Sequence, residues 1–302
     1  MNQGWTYYDR ITSRSAGQSV LDYYTSKYQH STAQQWRSRI EQGRILLEGL
    51  PAQTYTTLQA NQTLAYRRSP WSEPDVPLTF EVLYEDDALC VIAKPSGLPV
   101  LPGGQFLEHT LLHQLKQRYP QKTLVPMHRL GRGTSGVMLM AKSQQARCHL
   151  SEQFRARSLR KTYRTLVGPA PEMPDRFVCT ETIGKVAYPR LGYLFARVSC
   201  DHPTAKPARS ECEVLQRRTD STLLKVSITT GRAHQIRIHL AAQGYPLLGD
   251  PLYAAGGLPH ATAEAIPSDL GYHLHAHRIR FVHPHSGNAL EVEAPLPEIF
   301  KN

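Results

Sequence analysis

Acidic residues are in short supply in this chain. Its 302 residues hold 25 Asp and Glu against 35 Lys and Arg, a formal net charge of +10. A surplus of that size implies an anionic partner, and nucleic acid comes first because phosphate contacts need Lys and Arg spread over a surface. The cysteines (Cys90, Cys148, Cys179, Cys200 and Cys212) lack any C-x-x-C spacing. That excludes a zinc ribbon and a disulfide framework, and reads as reduced thiols. No apolar run approaches the ~18 residues of a membrane span, and the opening MNQGWTYYDRITSRS has no apolar h-region. These absences point to a cytoplasmic protein with no membrane partner. Internal repeats, low-complexity tracts and helix-turn-helix or zinc spacings are missing too, which argues against a dedicated DNA-binding factor.

What is present suits a globular protein of one large domain or two smaller ones, with 40% hydrophobic and 20% charged residues. Residues 1–68 read as a small unit. It holds a helix over 17–28, a second ending at Gly43, a strand over Arg44 to Leu47, a turn at Glu48 and Gly49, and a closing strand over 62–68. Trp36, Arg37, Arg39, Arg44, Arg67 and Arg68 make it basic and locally aromatic. The stretch 69–80 carries Pro70, Pro74 and Pro77 and reads as a linker, since proline biases its predecessor toward extended geometry. From 81 to 302, strands near 89–95, 136–142, 161–167 and 223–229 mix with helices near 144–157 and 233–243. This is an α+β pattern without regular βαβ spacing.

Three stretches carry the chemistry. In 223-LLKVSITTGRAHQIRIHLAAQG-244 a strand meets a glycine turn and then a helix, with His234 and Arg237 on one face and Ile236 and Leu240 on another. An Arg in the first turns of such a helix can orient a carboxylate or phosphate. In 154-FRARSLRKTYRTLV-167, Arg155, Arg157, Arg160, Lys161 and Arg164 surround Tyr163, with Arg147 upstream. Basic residues with an interleaved ring fit nucleic acid with one base stacked. Phe154 falls in register with Ala146 and Leu150 and reads as core. The run His273, His275, His277 would share a strand face, but no cysteine or carboxylate joins it at ligand spacing, so a metal is not expected. The third stretch, 127-MHRLGRGTSGVMLMAKS-143, has the look of a catalytic loop yet holds no carboxylate, no cysteine and no obvious nucleophile.

These stretches, in order, resemble one family, the RluA-type RNA pseudouridine synthases. The resemblance rests on 84-YEDDALCVIAKPSGLPVLP-102, 128-HRLGRGTSG-136, 160-RKTYRTLVG-168, 231-GRAHQIRIH-239 with 249-GDPLY-253, and 274-LHAHRIRFVHP-284 with 294-APLP-297. Residues 14 to 66 resemble a divergent S4-type RNA-binding domain. The resemblance implies a pseudouridine synthase fold, a mixed and mainly antiparallel sheet with flanking helices and a central RNA-binding cleft. It implies no cofactor and no metal. The partner would be structured RNA, ribosomal or transfer, with a uridine flipped out of its stack and rejoined to the ribose through carbon 5. By the same resemblance Tyr163 stacks on the base and helps with proton transfer, Arg237 pairs with the catalytic carboxylate, and Arg129 organises the loop. Ile236 lines the pocket, and His128, Thr134, Ser135, Arg232, His234, Gln235, Lys161 and Lys94 bind substrate.

The family's catalytic Asp directly follows His-Arg-Leu, and this chain has Gly131 there. Either role of that carboxylate, attack on the sugar or removal of its 2′ proton, needs a fixed anion. Three explanations compete: a carboxylate arriving from elsewhere, with Glu85, Asp86, Asp87 and Asp250 as candidates; a water or substrate group as base; or an RNA-binding protein without catalysis, a chaperone or assembly factor. An empty position 131 would also leave Arg129 and Arg237 facing one another with nothing between them. A carboxylate within hydrogen-bond reach of Arg237 is the feature expected to separate enzyme from binder.

Overall fold

The computed structural model describes residues 1–188, 191–260 and 265–301. The chain divides into two units, 1–73 with 187–194 and 74–186 with 195–302.

In the first unit β1 (Trp5–Arg10) precedes α1 (Val20–Lys27) and α2 (Ala33–Glu41), then β2 (Ile45–Leu47), β3 (Leu50–Pro51) and β4 (Thr63–Arg68). The strands form one antiparallel sheet in the order β1-β4-β2-β3. Both helices start on side-chain caps: Ser19 accepts from the Asp22 N–H, and Thr32 with Gln35 makes a reciprocal capping box. Trp36, part of the local aromatic character of this unit, is 1% exposed and packed with Tyr24, Ile40 and Leu64, so its ring belongs to the core, with the Arg39 guanidinium on it at 4.4 Å.

Farther along run β5 (Glu81–Glu85), β6 (Leu89–Lys94), α3 (Leu111–Arg118), β7 (Val125–Pro126), β8 (Ser135–Ala141), α4 (Gln144–Ala156) and β9 (Arg160–Val167). Then come β10 (Arg176–Cys179), β11 (Ile183–Tyr188), β12 (Gly192–Arg197), β13 (Ser210–Arg217), β14 (Thr222–Ile228), α5 (Gln235–Ala242), β15 (Leu274–Val282) and β16 (Ala289–Glu293). Among the described residues, ten of these strands make one sheet ordered β10-β13-β14-β9-β15-β8-β6-β5, with β16 against β15 and β7 against β8. Every pairing in it is antiparallel except β15 with β8, where His275 faces Ser135 and Ala276 faces Gly136. The fold is α+β, with a large, mostly antiparallel sheet and few helices.

The central strands are buried on both faces, which is why they read as apolar runs rather than alternations. β6 sends Cys90 and Ile92 into one cluster and Leu89 and Val91 into another; β8 divides Met138 and Met140 from Val137, Leu139 and Ala141 in the same way. The sequence reading gave the helix after β14 two faces, one polar. The structure instead buries every residue of α5 from Gln235 to Ala241. His234 lies outside the helix, at its N-cap with φ +54°, and Gly244 ends it at φ +87°.

Candidate active site

The loop between β7 and β8, the start of β9, the turn from β14 into α5 and the segment leading into β15 converge on one cleft of about 610 Å³. His128, Arg129, Gly131, Thr134, Lys161, Tyr163, Arg232, His234, Gln235, Ile236 and Arg237 all line it. Residues from four separated stretches are thus brought together. Lys94 and Ser135 are not among the lining residues, and both have structural partners. The Lys94 ammonium is 1% exposed and donates to the carbonyls of Pro95, Leu98 and Arg132 at 2.8, 2.8 and 3.2 Å, tying the turn after β6 to the catalytic-looking loop. Burial and the nearby Arg132 charge push its pKa down to about 7. Ser135 Oγ lies 2.8 Å from His275 Nδ1.

Phe154 packs against the core with Ala146 and Leu150, as its spacing implies, but it is half-buried and also lines the cleft, its ring 5.6 Å from His128 with the Lys161 ammonium over it at 5.7 Å. Enclosure by this apolar wall pushes Lys161 down to about 8 and Tyr163 up to about 12. Burial, helped by the Lys161 charge, takes His128 down to about 3, so its Nε2 stays free to accept the Leu139 N–H at 3.1 Å. His234 falls to about 3 through burial and then the Arg237 charge. Its Nδ1 is 2.7 Å from the Tyr253 hydroxyl, which donates to the Phe195 carbonyl; Nδ1 therefore carries the proton and Nε2 is left as an acceptor.

The charge on Arg237 is not left bare, contrary to the expectation of two arginines facing one another. Asp250 receives it bidentately, Nε to Oδ2 and Nη2 to Oδ1, both at 2.7 Å, with the two side chains 3% and 1% exposed. Burial works against the guanidinium, but the bonds and charge of Asp250 outweigh it and hold the Arg237 pKa above its usual value. Asp250 is also fully occupied, because Oδ1 accepts the N–H of Leu252 and of Tyr253 at 2.9 and 3.2 Å. A carboxylate therefore lies within reach of Arg237, yet it does not line the cleft. Of the other candidate acids, Asp86 accepts from the Ala88 and Leu89 N–H groups and Glu85 pairs with Lys142; neither lines the cleft, nor does Asp87. Among the described residues, no Asp or Glu lines it.

Tyr272 was not anticipated from the sequence. Its ring lies under the Arg237 guanidinium at 4.1 Å, its hydroxyl is 3.3 Å from Thr134 Oγ1, and it lines the cleft. Nothing in the sequence links it to the loop at 131, since the contact is made only when β15 pairs beside β8. A second cavity of about 530 Å³ shares Arg157, Lys161, Ile228 and Thr229 with the first and adds Arg160, Arg209, Arg278 and Arg280, of which Arg209 and Arg278 pair with Glu211 and Glu291 in the same lining. As for metals, His275 and His277 are engaged with Ser135 and the Ala294 carbonyl. Cys179, Glu181 and His239 place ligand atoms within 4.8 Å of one another, but both His239 nitrogens already bond Ser210 and the Glu181 carbonyl.

The family model for RNA pseudouridylate synthases matches residues 88–242, which contain every cleft-lining residue but Tyr272 and Leu274. The chain belongs to the RNA pseudouridylate synthase family. A Synechocystis protein named an uncharacterized RNA pseudouridine synthase is 52% identical over 278 residues, 92% of this chain and 94% of its own. A ribosomal large subunit pseudouridine synthase D of Nitrosomonas europaea is 37% identical over 227 residues, 74% of this chain and 63% of its own. The human RNA pseudouridylate synthase domain containing 4 protein superposes with a TM-score of 0.55 at 26% identity, covering 73% of this chain and 90% of that one. The named synthases of the family are isomerases.

Proposed function

We propose that this protein isomerises uridine to pseudouridine in a structured RNA, by resemblance a ribosomal one. The observation that carries the reading is the cleft itself. It is nucleotide-sized, floored by Tyr163, Ile236 and Arg237 and rimmed by Arg129, Arg155, Arg157, Lys161 and Arg232. A flipped uridine stacks on Tyr163 while the rim takes the phosphates on either side. In the reaction the C1′–N1 bond breaks, the uracil turns, C1′ joins carbon 5, and the proton lost from carbon 5 is balanced by one gained at N1. Tyr163, held as a phenol, is a proton donor lining this cleft. The second, arginine-rich cavity continues the rim and carries the flanking strand. Residues 14–66 act as an S4-like RNA clamp, and a cytoplasmic location suits five unpaired cysteines.

One observation favours a second reading, RNA binding without turnover, as in a chaperone or assembly factor: among the described residues no carboxylate lines the cleft, and Gly131 stands where the family's acid is expected. The two part on one assay. The purified full chain is incubated with unmodified ribosomal RNA tritiated at carbon 5 of uridine, and released tritium is counted. Release that stops on Tyr163→Ala is the expected result. Tight RNA binding with no release supports the second reading.

A further inference from the structure

The two loop glycines beside Tyr272 raise a question that backbone geometry does not answer. Neither Gly131 nor Gly133 has a positive φ, so neither is glycine for conformational reasons. Space is the reason. A Cβ built on Gly131 would stand 2.7 Å from the Tyr272 hydroxyl oxygen, and one on Gly133 would stand 3.0 to 3.2 Å from the end of the same ring. Tyr272 cannot easily yield, being 4% exposed and held under Arg237. The segment behind it is fixed as well: Gly271 and Gly249 pack back to back, so closely that a Cβ on either would meet the other's carbonyl at 2.5 or 2.3 Å.

At Gly131 the conflict is with one atom. Apart from the Tyr272 hydroxyl, the nearest atom to that Cβ is Thr134 Oγ1 at 3.5 Å, an ordinary contact. The hydroxyl oxygen therefore stands where a side chain at 131 would begin. Its 3.3 Å approach to Thr134 Oγ1 is longer than a good O–H···O bond, so the hydroxyl retains capacity for a further partner in the cleft.

We propose that Tyr272 has taken the acid's place: residues 131 and 272 form an either-or pair, and the Tyr272 hydroxyl is the group that contacts the ribose of the bound uridine. This rests on the reading of the cleft as a uridine pocket. It also makes Gly131→Asp alone a poor restoration of the family's acid, because the carboxylate has no seat until the tyrosine oxygen is removed.

The test has two arms on the full chain. In the first, the Tm of Gly131→Ala, Tyr272→Phe and the double variant is measured. Gly131→Ala is expected to fall by about 5 °C, as overpacking of a fixed site does, and the same change made on Tyr272→Phe to cost less than half of that. Equal losses in both backgrounds overturn the pair. In the second, the probe is an RNA stem-loop with one bulged nucleotide: uridine, 2′-deoxyuridine or cytidine. Wild type should bind the uridine probe about 5-fold more tightly than the deoxyuridine probe, the worth of one hydrogen bond. Tyr272→Phe, which keeps the ring, should bind the two alike. A ratio unchanged in Tyr272→Phe, or no such ratio in wild type, overturns the ribose contact while a preference for uridine over cytidine leaves the pocket reading standing. Equal binding of uridine and cytidine removes the pocket reading, and the ribose contact with it.

Discussion

The most consequential single contact in the cleft is the one that holds Arg237 to Asp250. Removing one partner of a buried ion pair leaves an uncompensated charge, so Asp250→Asn should cost roughly 3–5 kcal/mol of stability in urea titrations. Arg237→Met combined with Asp250→Leu should cost far less than the sum of the single changes. Lys94 makes a parallel case. Lys94→Met strands the carbonyls of Pro95 and Leu98, while that of Arg132 keeps the Gly97 N–H; it should cost about 3 kcal/mol, most of it felt as a loosened 131–134 loop in hydrogen exchange. His128 gives a pH dependence with a defined sign. Its pKa drops from 6.5 to about 3 on folding, so between those values the unfolded chain binds the extra proton and stability falls as pH falls. His128→Gln retains an acceptor for the Leu139 N–H without titrating there. Its Tm should therefore decline less than that of wild type between pH 6.5 and 4.

At the scale of elements, the sequence was informative where one strand or helix determined its own pattern. The runs that became β6 and β8 were legible because strands buried on both faces need continuous apolar residues, and those that became β9 and β14 because polar and apolar residues alternate along them. α4 was legible because Ala146 and Leu150 repeat at helical spacing. The basic run around Tyr163 led to the cleft because the alternation of β9 sends Lys161 and Tyr163 the same way. What stayed hidden depended on partners far away in the chain. The full burial of α5 needs β13 and the Glu181 segment packed around it. The roles of Asp250 and Tyr272 need the Gly249–Gly271 contact. Lys94 and Ser135 sit inside motifs that border the cleft, yet their side chains turn to carbonyls and to His275. Gly136 shows how tightly one such junction is built: at φ +108° its Cβ would fall 2.1 Å from the Ala276 carbonyl oxygen, within the parallel β8–β15 pair. Gly136→Ala should therefore exceed the ~1–3 kcal/mol of ordinary overpacking and yield little folded protein.

For the molecule as a whole, part of the +10 charge is gathered at the cleft and its neighbour, through Arg129, Arg155, Arg157, Arg160, Lys161 and Arg280. Arg160 and Arg280 lie directly opposite in the β9–β15 register, an arrangement of like charges that costs stability unless an anion lies between them. Replacing either by Ala should lower the salt dependence of RNA binding by roughly one phosphate contact, with little change in base preference. Lys161, at about 8, adds a pH term. It is charged below that value, so RNA affinity should fall as pH rises from 7 to 9, and Lys161→Arg should flatten the profile. The most direct measurement is a map of pseudouridines in ribosomal and transfer RNA from cells lacking this protein, alone and complemented. The expected result is a uridine left unmodified in the deletion, restored by the wild type and not by Tyr163→Ala. A map identical to the parent's would contradict the enzymatic reading and leave a protein that binds RNA in this cleft without changing it.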